Sequence, residues 1–186
     1  FWDVAADAGA IIDDFYGKAF AEAAGPVRRF YERWQVRHDR PEANEVTERT
    51  LVLSYRDLDA ARQLTQDPGI RGRLDHLMMY LHWLRLRWEF EREHNPDAIL
   101  TKGQELIQFT RRIMDTGLIH SYAVLHSWDW FDEVGIDHGF WKLTELESVT
   151  DEMIETWKTE RTDVPGRAEV AELFDEGLKI YGDRTA

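Results

Sequence analysis

Glu91-x-x-His94 has the i, i+3 spacing at which one helix face offers a carboxylate and an imidazole to a metal, as in carboxylate-bridged di-iron bundles. Such a centre needs the motif twice, with two further inward glutamates. No second Glu-x-x-His occurs among the 186 residues, so the pair reads as a solvated helix end. His-x-x-x-His is absent as well, and the seven histidines, at 38, 76, 82, 94, 120, 126 and 138, form no ligand set by spacing. With no cysteine there is no disulfide, no thiolate nucleophile and no Cys-ligated zinc or iron–sulfur site. No Gly-x-Ser-x-Gly elbow, phosphate-cradling glycine loop or dinucleotide fingerprint is present. No cofactor, no metal and no catalytic residue are expected.

Paired carboxylates for glycoside hydrolysis offer themselves at Asp13-Asp14, Asp129, Asp132-Glu133 and Asp137. Among 36 acids, however, some pair always meets a separation of roughly 5–9 Å, so spacing singles out none of them. The stretch from His120 to Trp141 concentrates three of the eight tryptophans beside acids and histidines. Indole faces stack on sugar rings while carboxylates accept hydroxyl hydrogen bonds, which makes Trp128, Asp129, Trp130 and Trp141 the candidate glycan-binding residues. The competing reading has the same aromatics filling an irregular cap over a helical bundle. A wider stripe, Asp75, Met79, His82, Leu86, Glu89 and Glu93, sets one histidine among carboxylates. It reads as a half-buried polar seam with His82 packed on a neighbouring helix, and Arg85, Arg87 and Arg92 neighbour its acids at helical spacing, so ion pairing explains most of its charge.

The elements that must position these residues follow from apolar periodicity. Strand-like alternation is almost absent, and the 3.6-residue period dominates. The expected fold is all-α: an antiparallel bundle of about six to seven helices, with an irregular aromatic-rich segment near 118–146, in a single domain over 1–186. Asp7 caps a first helix with Ile11, Phe15 and Ala19 or Phe20 on one face, weakened near its end by Gly17. Gly25-Pro26 opens a second with Val27, Phe30, Tyr31 and Trp34. Residues 38–50 read as a polar connector and Leu51-Val52-Leu53 as a short extended anchor. Ser54 with Asp57 then resembles a capping box for a third helix carrying Leu58, Ala61 and Leu64, broken at Asp67-Pro68-Gly69. The fourth runs from about Ile70 to His94 through Leu74, Leu77, Met78, Leu81, Leu84 or Arg85, and Trp88, and stops at Asn95-Pro96. Asp97 is expected to cap a fifth helix and Gly117 to close it. Thr150 caps a short helix with Trp157, and Pro165-Gly166 precedes a last one with Val170, Leu173, Phe174 and Leu178.

Composition narrows the function classes. The 23 basic and 36 acidic side chains leave a net charge of −13, which opposes attraction to a phosphate backbone, so nucleic acid is not an expected partner. No apolar run reaches the roughly 18 residues of a membrane span. The chain opens Phe1-Trp2-Asp3, without an initiator methionine or a signal-like h-region, and reads as a piece of something larger.

Phe1-Trp2-Asp3, Ala10-Ile-Ile-Asp-Asp-Phe-Tyr-Gly17, Ala23-Ala24, Phe30-Tyr31-Glu32 and the later Arg73-Leu74-x-x-Leu77-x-x-Tyr80-Leu81-x-x-Leu84 carry a resemblance. Over roughly residues 1–115 the chain resembles the C-terminal helical region of a bacterial family of large glycoside-hydrolase-like proteins of unknown function, similar in layout to α-glucuronidases and hexosaminidases. It departs from that pattern by Lys18-Ala-Phe-Ala-Glu, inserted before Ala23-Ala24. The resemblance implies a non-catalytic domain that supports an upstream catalytic barrel of the same chain, mediates homodimerisation or lends an edge to a glycan cleft. It implies acid/base carboxylates on that barrel and an exported or extracytoplasmic location. An independent protein–protein interaction module with no carbohydrate role is the alternative.

Overall fold

The computed structural model describes residues 7–35, 46–119 and 163–184. Every regular element among them is helical, so the chain is all-α. The α-helices are α1 (Ala8–Phe20), α2 (Ala24–Trp34), α3 (Glu48–Leu64), α4 (Pro68–Glu91), α5 (Pro96–Arg112) and α6 (Arg167–Tyr181). Short 3-10 turns occupy Ala21–Ala23 and Met114–Thr116. The expected irregular segment and the Thr150 helix fall in 120–162, outside the described residues, so the count of six to seven antiparallel helices is a statement partly about that stretch. The described residues cluster into two compact units. One belongs to Phe1–Met78 with Ala171–Ala186, the other to Met79–Val170.

In the first unit, Asp7 caps α1 as expected, its carboxylate accepting from the Gly9 N–H at 2.8 Å. The Lys18–Glu22 stretch forms the end of α1 and the 3-10 turn. Ala21 there takes a positive φ of 43°, a strained backbone for a residue with a Cβ. Arg73 holds the same end, its Nε donating to the Ala19 carbonyl at 2.7 Å while its guanidinium lies over the Phe20 ring. Helix α2 buries Val27 and Phe30 against α3, where Leu51, Val52, Tyr55, Leu58 and Ala61 are all closed to solvent. Large apolar side chains buried in this way each contribute about 1.5–3 kcal/mol.

Two expectations about α3 need correction. The helix begins at Glu48, inside the stretch read as connector, because Thr47 and Thr50 form a reciprocal capping box. The Thr50 N–H donates to Thr47 Oγ1 at 3.1 Å and the Thr47 N–H to Thr50 Oγ1 at 2.8 Å. Leu51-Val52-Leu53 is therefore helical and not an extended anchor, and Ser54 and Asp57 lie mid-helix rather than at its start. A Thr box two turns earlier satisfies the orphan donors first.

Asp67 both ends the α3–α4 link and starts α4, accepting from the Ile70 N–H at 2.8 Å ahead of Pro68. In its second-unit half, α4 is buried without a break from Leu81 to Leu86, so that Leu84 and Arg85 are both inside. A helix surrounded on all sides loses its polar face. The next cap also shifts: Asn95, not Asp97, precedes α5, its Oδ1 accepting from the Ala98 N–H at 3.4 Å and its carbonyl from the Ile99 N–H at 2.9 Å. Pro96 sits at the first helical position, where its missing N–H costs nothing, and this places the cap one residue before it. The fifth helix ends earlier than expected, at Arg112, and Gly117, at φ +70°, closes the Met114–Thr116 turn after it in the left-handed conformation.

Helix α6 returns to the first unit and crosses α3 where Gly177 meets Tyr55. The Tyr55 ring stacks on Tyr181 at 5.8 Å and tilts against Phe174 at 5.3 Å. A Cβ on Gly177 would stand 2.1 Å from Tyr55 Oη. Gly177→Ala is accordingly expected to destabilise the chain by about 1–3 kcal/mol in urea melts, the cost of overpacking a closed contact. The further change Tyr55→Leu should recover part of that loss, and a single-variant effect below about 0.5 kcal/mol would mean the crossing is not tight.

Candidate functional site

Trp128, Asp129, Trp130 and Trp141, and with them Asp132, Glu133 and Asp137, lie outside the described residues. The remaining sequence candidates can be placed. Asp13 and Asp14 are both exposed and ion-paired, Asp13 with Arg28 at 2.6 Å and Asp14 with Lys18 at 2.8 Å. The Glu91 carboxylate accepts from Arg87 Nε at 2.7 Å, and His94 lies beyond the last residue of α4. Among the described residues no group of three or more His, Asp or Glu side chains is arranged to hold a metal.

His82 sits where the polar-seam reading placed it, 5% exposed, with its ring edge-on to Phe109 of α5 at 4.5 Å. Arg85 Nη2 lies 3.2 Å from His82 Nδ1. A guanidinium only donates, so Nδ1 accepts and the proton rests on Nε2. Burial first, then the charges of Arg85 and Arg112, push this imidazole down to about 3. That depression takes the ring away from proton transfer near neutrality, and it packs as a neutral group against Phe109. Beside it, Trp83 Nε1 donates to Thr110 Oγ1 at 2.9 Å, and that hydroxyl donates to the Leu106 carbonyl at 2.7 Å.

At the α4–α5 turn, Glu93 is held down to about 2, chiefly by Lys102 Nζ at 2.7 Å and further by the N–H groups of Asn95 and His94 at 3.0 Å each. These contacts tie the turn together and hold the Glu93 carboxylate in its ionised form.

A polar cluster that sequence reading mistook for a cap joins α2 to α3. Asp57, 7% exposed, accepts from Arg29 Nε at 2.8 Å and Arg33 Nη2 at 2.6 Å. Ser54 Oγ accepts from Trp34 Nε1 at 3.1 Å and Arg33 Nη1 at 3.3 Å. All five side chains are engaged with one another, and the cluster is a clasp between helices.

The clasp turns one side of α2 inward and leaves the other on the surface beside α1. There the structure leaves exposed the face that the sequence marks by Ile11 and Phe15. Ile11, Ile12 and Phe15 are 58%, 45% and 51% exposed, and only Phe20 of α1 is buried. Together with Tyr16, Tyr31 and Gln35 they line a groove of about 530 Å³. Phe15 meets Tyr16 at 5.3 Å, and Tyr16 meets Tyr31 at 6.0 Å. At the rim, Arg28 bridges Asp13 to Glu32 and lies over the Tyr16 ring at 5.3 Å. Burial raises both tyrosine hydroxyls above their usual range. Ile11 and Phe15 were legible as a stripe, but a stripe looks the same whether its own core covers it or another surface does.

Comparison with known family models, curated proteins and solved structures finds no match to this chain.

His82 generates a pH prediction. Its imidazole is depressed in the folded state from an ordinary 6.5, so the folded chain binds fewer protons than the unfolded one below that value. Its contribution is complete above pH 6.5 and is lost progressively as pH falls towards 3. Glu93 contributes nothing to this window, since its own loss runs from about 4.5 down to about 2. Denaturant melts at pH 7 and pH 5 should show the wild type losing about 2 kcal/mol more than His82→Gln, and equal losses would show that the ring is not held neutral.

Proposed function

We propose that this chain is a non-catalytic helical domain of a carbohydrate-active, glycoside-hydrolase-like protein, and that its α1–α2 face docks on the catalytic barrel of the same chain. The whole of 1–186 would form an antiparallel bundle of six to seven helices. The observation that carries the reading is the uncovered apolar face of α1. A 13-residue helix with one buried side chain gains little from its own unit, while Ile11, Ile12 and Phe15 each gain about 1.5–3 kcal/mol when fully covered. The motif Ala10–Gly17, one of those on which the resemblance rests, is the stretch that forms this face. No helix among the described residues is long and apolar enough to cross a membrane.

Two measurements test this. An antibody blot of source cells should reveal a polypeptide several times heavier than the 21.9 kDa chain. A product of the chain's own size would remove the barrel and leave the independent interaction module as the account. The isolated chain should hydrolyse no aryl glycoside, and turnover that vanishes when one internal carboxylate is replaced would overturn the non-catalytic assignment.

The glycan-edge role rests on Trp128, Asp129, Trp130 and Trp141. Trp128→Ala and Trp130→Ala are expected to leave the thermal midpoint within a few degrees of wild type while weakening retention on immobilised glycan. Unfolding of both variants would make these tryptophans core and end that part of the reading.

A further inference from the structure

The charge around the α1–α2 groove selects among the surfaces that fit it. Three exposed ions frame the groove directly, Asp13, Arg28 and Glu32, and the two carboxylates share the single guanidinium, Asp13 at 2.6 Å from Nη2 and Glu32 at 3.1 Å from Nε. That leaves a formal surplus of one negative charge at the mouth. The adjacent Asp14–Lys18 pair is neutral in sum, and Asp7 adds a further carboxylate at the start of the helix. A second copy of the chain, itself at −13, would meet this acidic mouth with like charge. A glycan would find hydrogen-bonding groups at Tyr16, Tyr31 and Gln35, but it would also have to cover Ile11 and Ile12, which offer it neither a flat face nor a polar group.

We infer that the α1–α2 groove receives an apolar protein segment flanked by lysine or arginine. The apolar ridge of that segment lies on Ile11, Phe15 and Tyr31, and its cations reach the oxygens of Asp13 and Glu32 that Arg28 does not occupy. This rests on the reading of α1–α2 as a docking face, and it specifies the surface the barrel must present there. Ions as exposed as these, at 64% and 58% for the two carboxylates, steer and orient association more than they tighten it. The preference they confer is therefore salt-sensitive, since such charges are screened beyond about 8–10 Å at physiological ionic strength.

The test uses the 186-residue chain and two synthetic amphipathic helical peptides with the same leucine face, one flanked by lysine and the other by glutamate, with binding followed by fluorescence anisotropy. The lysine peptide is expected to bind about tenfold more tightly in low salt, with the gap closing at high salt. Phe15→Ser should abolish binding of both peptides, and Asp13→Asn with Glu32→Gln should remove only the preference. Equal binding of the two peptides by the wild type overturns the inference while leaving the docking face in place. Binding that survives Phe15→Ser overturns the docking face itself. A wild-type chain that sediments as a dimer, and becomes monomeric on Phe15→Ser, assigns the groove to a second copy and also overturns the inference.

Discussion

A carboxylate inside a helical core has to be neutralised where it stands, and in the first unit Asp57 imposes that requirement on everything around it. Stranding such a charge by removing its partners costs about 3–5 kcal/mol, more than an exposed ion pair supplies. The guanidinium groups of Arg29 and Arg33 meet the demand. They stand four apart on α2 and so fix the rotation of that helix about its axis, with Val27 and Phe30 inward and Tyr31 outward. Trp34 and Ser54 extend the same contact by one turn. The exposed groove is thus a consequence of the clasp: once α2 is locked by its inner side, the α1 hairpin has only the outer side to pack on.

The same clasp shows where sequence reasoning loses its footing. Ser54 and Asp57 have the residue types and spacing of a helix start, and in isolation nothing distinguishes a cap from two polar groups waiting for arginines from another helix. The Thr47/Thr50 box was the true signal, but it lay in a run of polar residues whose periodicity had not yet begun. Asn95 was missed for a related reason: Asp97 is an equally good capping type, and only the place of Pro96 in the first turn decides between them. The all-α class, the Asp7 cap and the burial of His82 against a neighbouring helix were legible, because each depends on a local preference or on a long unambiguous period.

The candidate site was legible in its residues and not in its role. Hydrophobic spacing reports that a helix face seeks cover and is silent on what supplies it. On α3 the cover comes from α2 and α6; on α1 it does not come from the described part of this chain at all. Recognising the difference needs the partner helices in place, since Ile11 and Leu58 are indistinguishable as letters. The charges at the groove mouth are likewise visible in sequence only as members of a large acidic surplus, and they acquire meaning from the one guanidinium that two of them share.

The crossing of α3 and α6 bears on how the chain is made. Arg56 Nε donates to the Gly182 carbonyl across 126 positions, and Tyr55 finds its stacking partners Phe174 and Tyr181 at a comparable distance along the chain. During synthesis Tyr55, Leu58 and Ala61 leave the ribosome well before the helix that covers them, and at about 5–20 residues per second the interval is several seconds or longer. Loop closure over such a separation is slow compared with the formation of α3 itself. For that whole interval Tyr55, Leu58 and Ala61 lack the cover that α6 gives them, and the first unit closes only once α6 has been translated.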